Sequence, residues 1–195
     1  MIDRPVPALL AAARDVFSVL HDAGVRACLI GALAVQRWGQ PRATADVDVS
    51  ALAPYGDEAG ALDALLRRFA PRQPNAKAFA IEYRVLLIAS DQGVPIDVAL
   101  AAFPFELEAL DRASAWEPMP GIVLPTCSAE DLIVYKLVAA RPQDLVDIEG
   151  IIRRQGHRLD VEPIRRWGQQ FVELKEDPIL MKPFEEAFRR IVPEA

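Results

Sequence analysis

Cysteine, histidine and long apolar runs are all scarce in this 195-residue chain, and each shortage removes a class of protein. Two cysteines, Cys28 and Cys127, cannot build a disulfide framework or a four-ligand zinc site. Cys28 lies in the apolar run ACLI and reads as a small buried hydrophobe. The two histidines, His21 and His157, have no cysteine or histidine at metal-ligand spacing and read as surface residues. No apolar stretch reaches the roughly 18 residues that a membrane span needs. The opening MIDRPVPALLAAARDVF carries acids and lacks the basic flank and cleavage pattern of a secretory signal. A cytoplasmic protein without a membrane partner is therefore expected.

An excess of positive charge is missing as well. Lysine and arginine number 22 against 28 acids, so the net charge of −6 sets a global field that repels nucleic acid. The exception is local: Arg153, Arg154, His157, Arg158, Arg165 and Arg166 crowd one C-terminal stretch. They read either as a solvated helical surface or as a patch for a phosphate backbone. Hydrophobic residues make up 52% of the chain and charged residues 26%, enough for a sizeable core and against wholesale disorder.

Along the chain, residues 7–22 carry apolar side chains at helical spacing and end at Gly24. VRACLI (25–30) suits a buried strand, ALAVQRW (32–38) a helix, and 46–50 a strand with strict alternation. A helix over 56–70 and a loop over 71–74 precede two strands, 81–90 and 95–100, joined by the turn DQG. FELEALDRA reads as helix and GIVLPT (121–126) as one short strand; helices then follow over 128–140, 143–155, 161–174 and 178–192. The expected class is α+β with a central mixed sheet, divided into a core at 1–104 and a mainly helical region at 105–195 packed on it.

The chemistry concentrates in the acids. Asp46 and Asp48 stand two apart on a strand and leave the same face, while Val47 and Val49 face the other. Two carboxylates about 4 Å apart repel by roughly 4 kcal/mol at an effective dielectric near 20. A divalent cation offsets this, and hard oxygen donors favour Mg²⁺ or Mn²⁺. Asp97, inside the apolar strand PIDVAL, is a third carboxylate that does nothing for burial. Upstream, Gly31 marks a strand-to-helix junction where backbone N–H groups can meet phosphate. Ser128 and Asp131 form a helix-start pair, which places Lys136 at the edge of the stripe Leu132, Ile133 and Leu137. Asp144 and Asp147 share one face of the next helix, where one of them can pair with Lys136 or Arg141.

The run IGALAVQRWGQPRATADVDVS resembles the first motif of the nucleotidyltransferase superfamily, a glycine pair or Gly-Ser followed about a dozen residues later by Asp-x-Asp. It is similar in particular to bacterial AbiEii-type nucleotidyltransferases, which include toxins of toxin–antitoxin pairs. Arg42 and Thr44 match the Arg-x-Thr typical before the acids, and SAEDLIVYKLVAARPQDLVDIEGII (128–152) resembles the later motifs. One departure is Ala32, where the family has glycine or serine.

The resemblance implies a polymerase-beta-like nucleotidyltransferase core that moves a nucleoside monophosphate from an NTP to an acceptor hydroxyl. It implies Asp46, Asp48 and Asp97 as ligands of Mg²⁺ (or Mn²⁺), with Asp97 as general base. Gly31, Ala32, Arg42, Thr44, Asp144 and Asp147 are then expected at the nucleotide, and Lys136 on the charge of its triphosphate. RNA or tRNA, a protein hydroxyl or a small molecule stand as acceptors, and a cognate antitoxin as a partner. A catalytically silent nucleotidyltransferase-like binding module is the alternative, kept open by Ala32.

Overall fold

The structure, a computed structural model, describes residues 6–193; the first five residues, read above for a secretory signal, lie outside the described residues. The elements run α1 (Val6–Asp22), β1 (Ala27–Ile30), α2 (Gly31–Trp38), β2 (Val47–Leu52), α3 (Ala59–Arg68), β3 (Ala70–Pro71), α4 (Ala76–Tyr83), β4 (Val85–Ala89) and β5 (Pro95–Ala101). They continue as α5 (Pro104–Asp111), β6 (Ser114–Met119), β7 (Ile122–Thr126), α6 (Ala129–Ala139), α7 (Pro142–Gln155), a 3₁₀ turn (Gly156–Arg158), α8 (Val161–Lys175) and α9 (Lys182–Ile191). By contact density the chain forms two compact units. One holds the described residues up to Leu33 together with Ala43–Cys127; the other holds Ala34–Arg42 with the residues from Ser128 onward.

The first unit is built on a seven-stranded mixed sheet of order β3-β4-β5-β2-β1-β7-β6. β2 runs parallel to β5 and β1 parallel to β7, while the remaining neighbours are antiparallel. Alternation in the sequence decides which way the central strands face. Val47 and Val49, Ile96 and Val98, and Leu86 and Ile88 are fully buried and lie opposite one another across β2, β5 and β4. Their intervening neighbours Asp48, Asp97 and Leu87 share the other, half-buried face. α1 packs against α3 and β7 through a buried stripe that includes Leu9, Leu10, Ala13, Val16 and Leu20, at the spacing of one helical face. Both outer strands carry a proline: β3 is two residues long and ends in Pro71, and β6 contains Pro118 beside a register irregularity between Trp116 and Met119. Proline cannot donate to a ladder, which suits it to edges, although Pro125 of β7 and Pro95 at the start of β5 stand on interior strands.

In the second unit α6 packs on α7 and α8, and α7 on α9, around Leu132, Ile133, Ile148, Ile151, Ile164 and Phe184. The expected helix start at Ser128 is present: its hydroxyl accepts from the Asp131 amide at 3.0 Å and donates to the Asp131 carboxylate at 2.8 Å. Residues 34–42 lie close against α7. A Cβ on Gly150 would stand 3.3 Å from the Gln40 amide nitrogen, and one on Gly39 would stand 3.0 Å from Ile151 Cγ1. Arg154 then donates to the carbonyls of Gln36 and Gly39 at 3.0 and 2.8 Å, satisfying acceptors left over at the end of a helix.

Three elements differ from the sequence reading. Residues 81–83 close helix α4 rather than opening a strand, because Arg84 takes a left-handed conformation (φ 55°) and separates them from β4. The loop expected at 71–74 begins with the last residue of β3, and β6 adds an edge strand before β7. Among the described residues no helix is long and apolar enough to cross a membrane.

The buried row behind the acids gives a direct check on this architecture. Ile96→Ala, at a fully buried position, should cost about 2–5 kcal/mol in urea unfolding. A loss well under 1 kcal/mol would mean that this face of β5 is not core.

Candidate active site

Parallel pairing of β2 with β5 sets Asp48 directly opposite Asp97. The next strand on one side places Ile30 opposite Asp48, immediately before Gly31. Gly31 has φ 65°, a conformation open to glycine and strained for other residues, and a Cβ at this position would overlap the Asp48 carboxylate. The glycine therefore lets a carboxylate lie against the first turn of α2. Ala32, the residue that departs from the family motif, is buried. Asp46 precedes β2 by one residue, and its Oδ1 accepts from the Thr44 hydroxyl at 2.6 Å. Thr44 thus touches an acid directly.

Asp97 is the member whose chemistry is most altered. Burial pushes its carboxyl above the usual aspartate range, and the charge of Asp46 pushes the same way, against the opposing effect of Arg72. Arg72 was not anticipated from sequence. It follows β3, its amide donates to Leu87 O at 2.9 Å, and its Nε donates to Ile88 O at 2.9 Å. From that anchored position the guanidinium forms an ion pair with the Asp97 carboxylate. No periodicity marks such a residue; only the antiparallel closure of β3 and β4 brings it to the acids.

Among the described residues, no three His, Cys, Asp or Glu side chains are grouped so as to hold a metal ion. The donor set nonetheless fits a hard divalent cation in kind. Asp48 and Asp97 are register partners and Asp46 lies within reach of the charge of Asp97, whereas the Arg72 guanidinium at the Asp97 end opposes a cation. Arg72 engages one oxygen of Asp97, Oδ1, at this position.

The other expected site residues gather in the second unit. Lys136 Nζ, 3% exposed as a residue, donates to Asp147 at 2.6 Å and to Asp144 at 3.1 Å. Arg42 grips Asp147 through Nε at 2.9 Å and a terminal nitrogen at 3.0 Å, and Arg141 holds Asp144 at 2.7 Å. Arg42, Lys136, Asp144 and Asp147 are thus brought together. With Arg141, three cations face two anions, one positive charge in excess. Burial alone would raise both carboxyls, but Arg141 and Lys136 hold Asp144 below the usual range, and Arg42 and Lys136 do the same for Asp147.

A family model described as nucleotidyl transferase of unknown function (DUF2204) matches residues 9–185, most of the chain. The chain belongs to this family. Its fold is shared with solved nucleotidyltransferase structures. One is the antibiotic-resistance factor ANT(2'')-Ia, with a TM-score of 0.56 and 16% identity over 90% of this chain and 95% of that one. Another is an antigenic nucleotidyltransferase-like protein from Paracoccidioides brasiliensis, with a TM-score of 0.51 and 14% identity over 92% and 93% of the two chains. No curated protein sequence matches. The resemblance read from the motif is correct at the level of the superfamily.

The buried charge network makes a pH-dependent contribution to stability. Both carboxyls titrate below the unfolded aspartate value of about 3.9. The stability they contribute is present above that value and is lost as pH falls through the folded values. Melting temperature should therefore drop steeply below about pH 4. Lys136→Met, which removes the cation shared by both buried acids and leaves each with one arginine, should cost up to about 3 kcal/mol near neutral pH and blunt that acid limb. An acid limb identical in wild type and variant would remove the network from the stability account.

Proposed function

We propose that this protein is a metal-dependent nucleotidyltransferase, moving a nucleoside monophosphate from an NTP to an acceptor hydroxyl. The observation that carries the reading is the register pairing of Asp48 with Asp97, with Asp46 in charge contact and Gly31 against the Asp48 carboxylate. Asp46, Asp48 and Asp97 would hold Mg²⁺ or Mn²⁺, which neutralises triphosphate charge and polarises the α-phosphate when bound. Asp97 takes the proton of the acceptor hydroxyl, a role for which a carboxyl raised by burial is suited. Amides at Gly31 and Ala32, at the start of α2, donate to phosphate oxygens, and Thr44 orients Asp46.

In the same reading Arg42, Lys136, Asp144 and Asp147 act as a structural set of the second unit, because the lysine and both acids are buried and bonded within it. The Lys136 ammonium is bonded to both acids, so its part is to fix their charge and geometry.

Replacing both first acids tests the assignment. The double variant Asp46→Asn/Asp48→Asn should lose Mg²⁺-dependent NTP binding in calorimetry while keeping its melting temperature within a few degrees. NTP binding at wild-type strength in that variant would refute the proposal. A silent nucleotidyltransferase-like module is the second reading, favoured by the ion pair that engages Asp97 with Arg72. Wild-type protein giving no heat with Mg-NTP would select it.

On the acceptor, the arginine cluster does not favour RNA. Arg153 pairs with Glu149 at 3.1 Å and Arg165 with Glu185 at 2.9 and 3.0 Å, while Arg154 and Arg158 donate to backbone carbonyls. Arg166 stacks on Trp167. Counter-charged or carbonyl-bound arginines offer little to a phosphate backbone, so a small-molecule or protein hydroxyl is the better-supported acceptor. Replacing Arg153, Arg154, Arg165 and Arg166 together should leave any tRNA binding, and its dependence on salt, unchanged in a filter assay. A flattened salt slope would reinstate RNA. An AbiEii-type toxin role is tested by growth arrest on expression that the Asp46→Asn/Asp48→Asn variant relieves.

A further inference from the structure

Arg72 belongs to none of the motifs, yet it forms an ion pair with Asp97, one of the candidate metal-binding acids. Its position is built rather than incidental. The residue's own amide is tied to Leu87 O, its Nε is tied to Ile88 O, and Leu87 is the register partner of Asp97. Two backbone bonds from one strand thus aim the guanidinium at the side chain opposite on the next. The side chain remains 32% exposed and that of Asp97 36% exposed, so the pair is open to exchange with solvent and ions.

We propose that Arg72 is the resident counter-cation of the acid trio and competes with the divalent ion for Asp97. Three neighbouring carboxylates repel one another, and the guanidinium offsets that repulsion when no divalent ion is bound. Arg72 engages Oδ1 of Asp97 and sets a positive charge beside it, so a divalent ion drawing on this carboxylate meets a resident cation, and the free energy of the pair opposes metal affinity. Arg72 consequently sets the concentration of divalent ion at which the site assembles. This rests on the acid trio being the metal site of the reading above.

The experiment is a titration of the intact protein with Mn²⁺ alone, without nucleotide, followed by calorimetry or by the free-Mn²⁺ resonance signal. Arg72→Gln should bind Mn²⁺ about two- to fivefold more tightly than wild type, the factor expected for removing an ion pair of this exposure. Arg72→Lys, which keeps the charge, should stay near wild type. In an Asp97→Asn background the gain from Arg72→Gln should vanish, because the coupling between the two residues is then absent. Tightening is a readout that simple structural damage does not produce, since damage weakens a site. Equal or weaker Mn²⁺ binding in Arg72→Gln, with wild type binding normally, would overturn the role of Arg72 and leave the metal site standing. If neither protein binds Mn²⁺, both this inference and the metal-dependent reading fail.

Discussion

Like charge on adjacent positions of two parallel strands is the constraint around which the first unit is arranged. Register alone brings Asp48 and Asp97 together, and register here is enforced from behind, by the fully buried rows Val47–Ile96 and Val49–Val98. A slip of β2 by one residue would turn Asp48 into the core and Val47 and Val49 out of it, an exchange the chain cannot tolerate. The hydrophobic face therefore does electrostatic work at a distance of one side chain: it holds two anions against their repulsion. The neighbouring features serve the same end. Gly31 leaves room for one carboxylate, the Thr44 hydroxyl steadies another, and the Arg72 guanidinium screens the third.

The second unit solves a related problem in the opposite manner. Asp144 and Asp147 are almost wholly buried, where an unpaired charge is costly, and each is surrounded by cations from two segments of chain. The arginine and lysine there are consumed in stabilising acids that are already folded away. In the first unit the acids remain half-buried, and the Arg72 guanidinium pairs with Asp97. Charge that is saturated supports structure, whereas charge left partly compensated is available for a ligand. On the proposed reading, the half-buried acids Asp46, Asp48 and Asp97 carry the chemistry rather than the buried pair Asp144 and Asp147.

Much of this was legible in the residues, for reasons that differ from element to element. The alternation placed Val47 and Val49 in the core and Asp48 on the other face, although Asp46 lies before the strand and Ser50 is buried. The helix-start pair Ser128 and Asp131 located α6 to within a residue, and helical spacing led to one of Asp144 and Asp147 pairing with Lys136 or Arg141, where the structure has Lys136 bonded to both. What escaped was whatever depends on backbone conformation or on long-range closure. Helix α4 is short and runs into Ile81 and Tyr83, residue types at home in strands, and only the left-handed Arg84 separates it from β4. Strand β6 has a proline and an irregular register in place of alternation. Arg72 lies 25 positions from Asp97, with nothing in its own neighbourhood to announce the pairing. The arginines at 153–166 looked alike in sequence, although their partners, from Glu149 and Glu185 to helix-end carbonyls, set them apart.

The prolines at the two borders of the sheet bear on how another macromolecule can approach it. Recruitment of a foreign segment as an eighth strand requires a run of free donors and acceptors along a border. The two-residue β3 with Pro71 and the interrupted β6 with Pro118 offer only fragments of one. A protein that recognises this unit must therefore read side chains on its helices and loops, so its specificity would be written in surface chemistry rather than in shared main-chain hydrogen bonding.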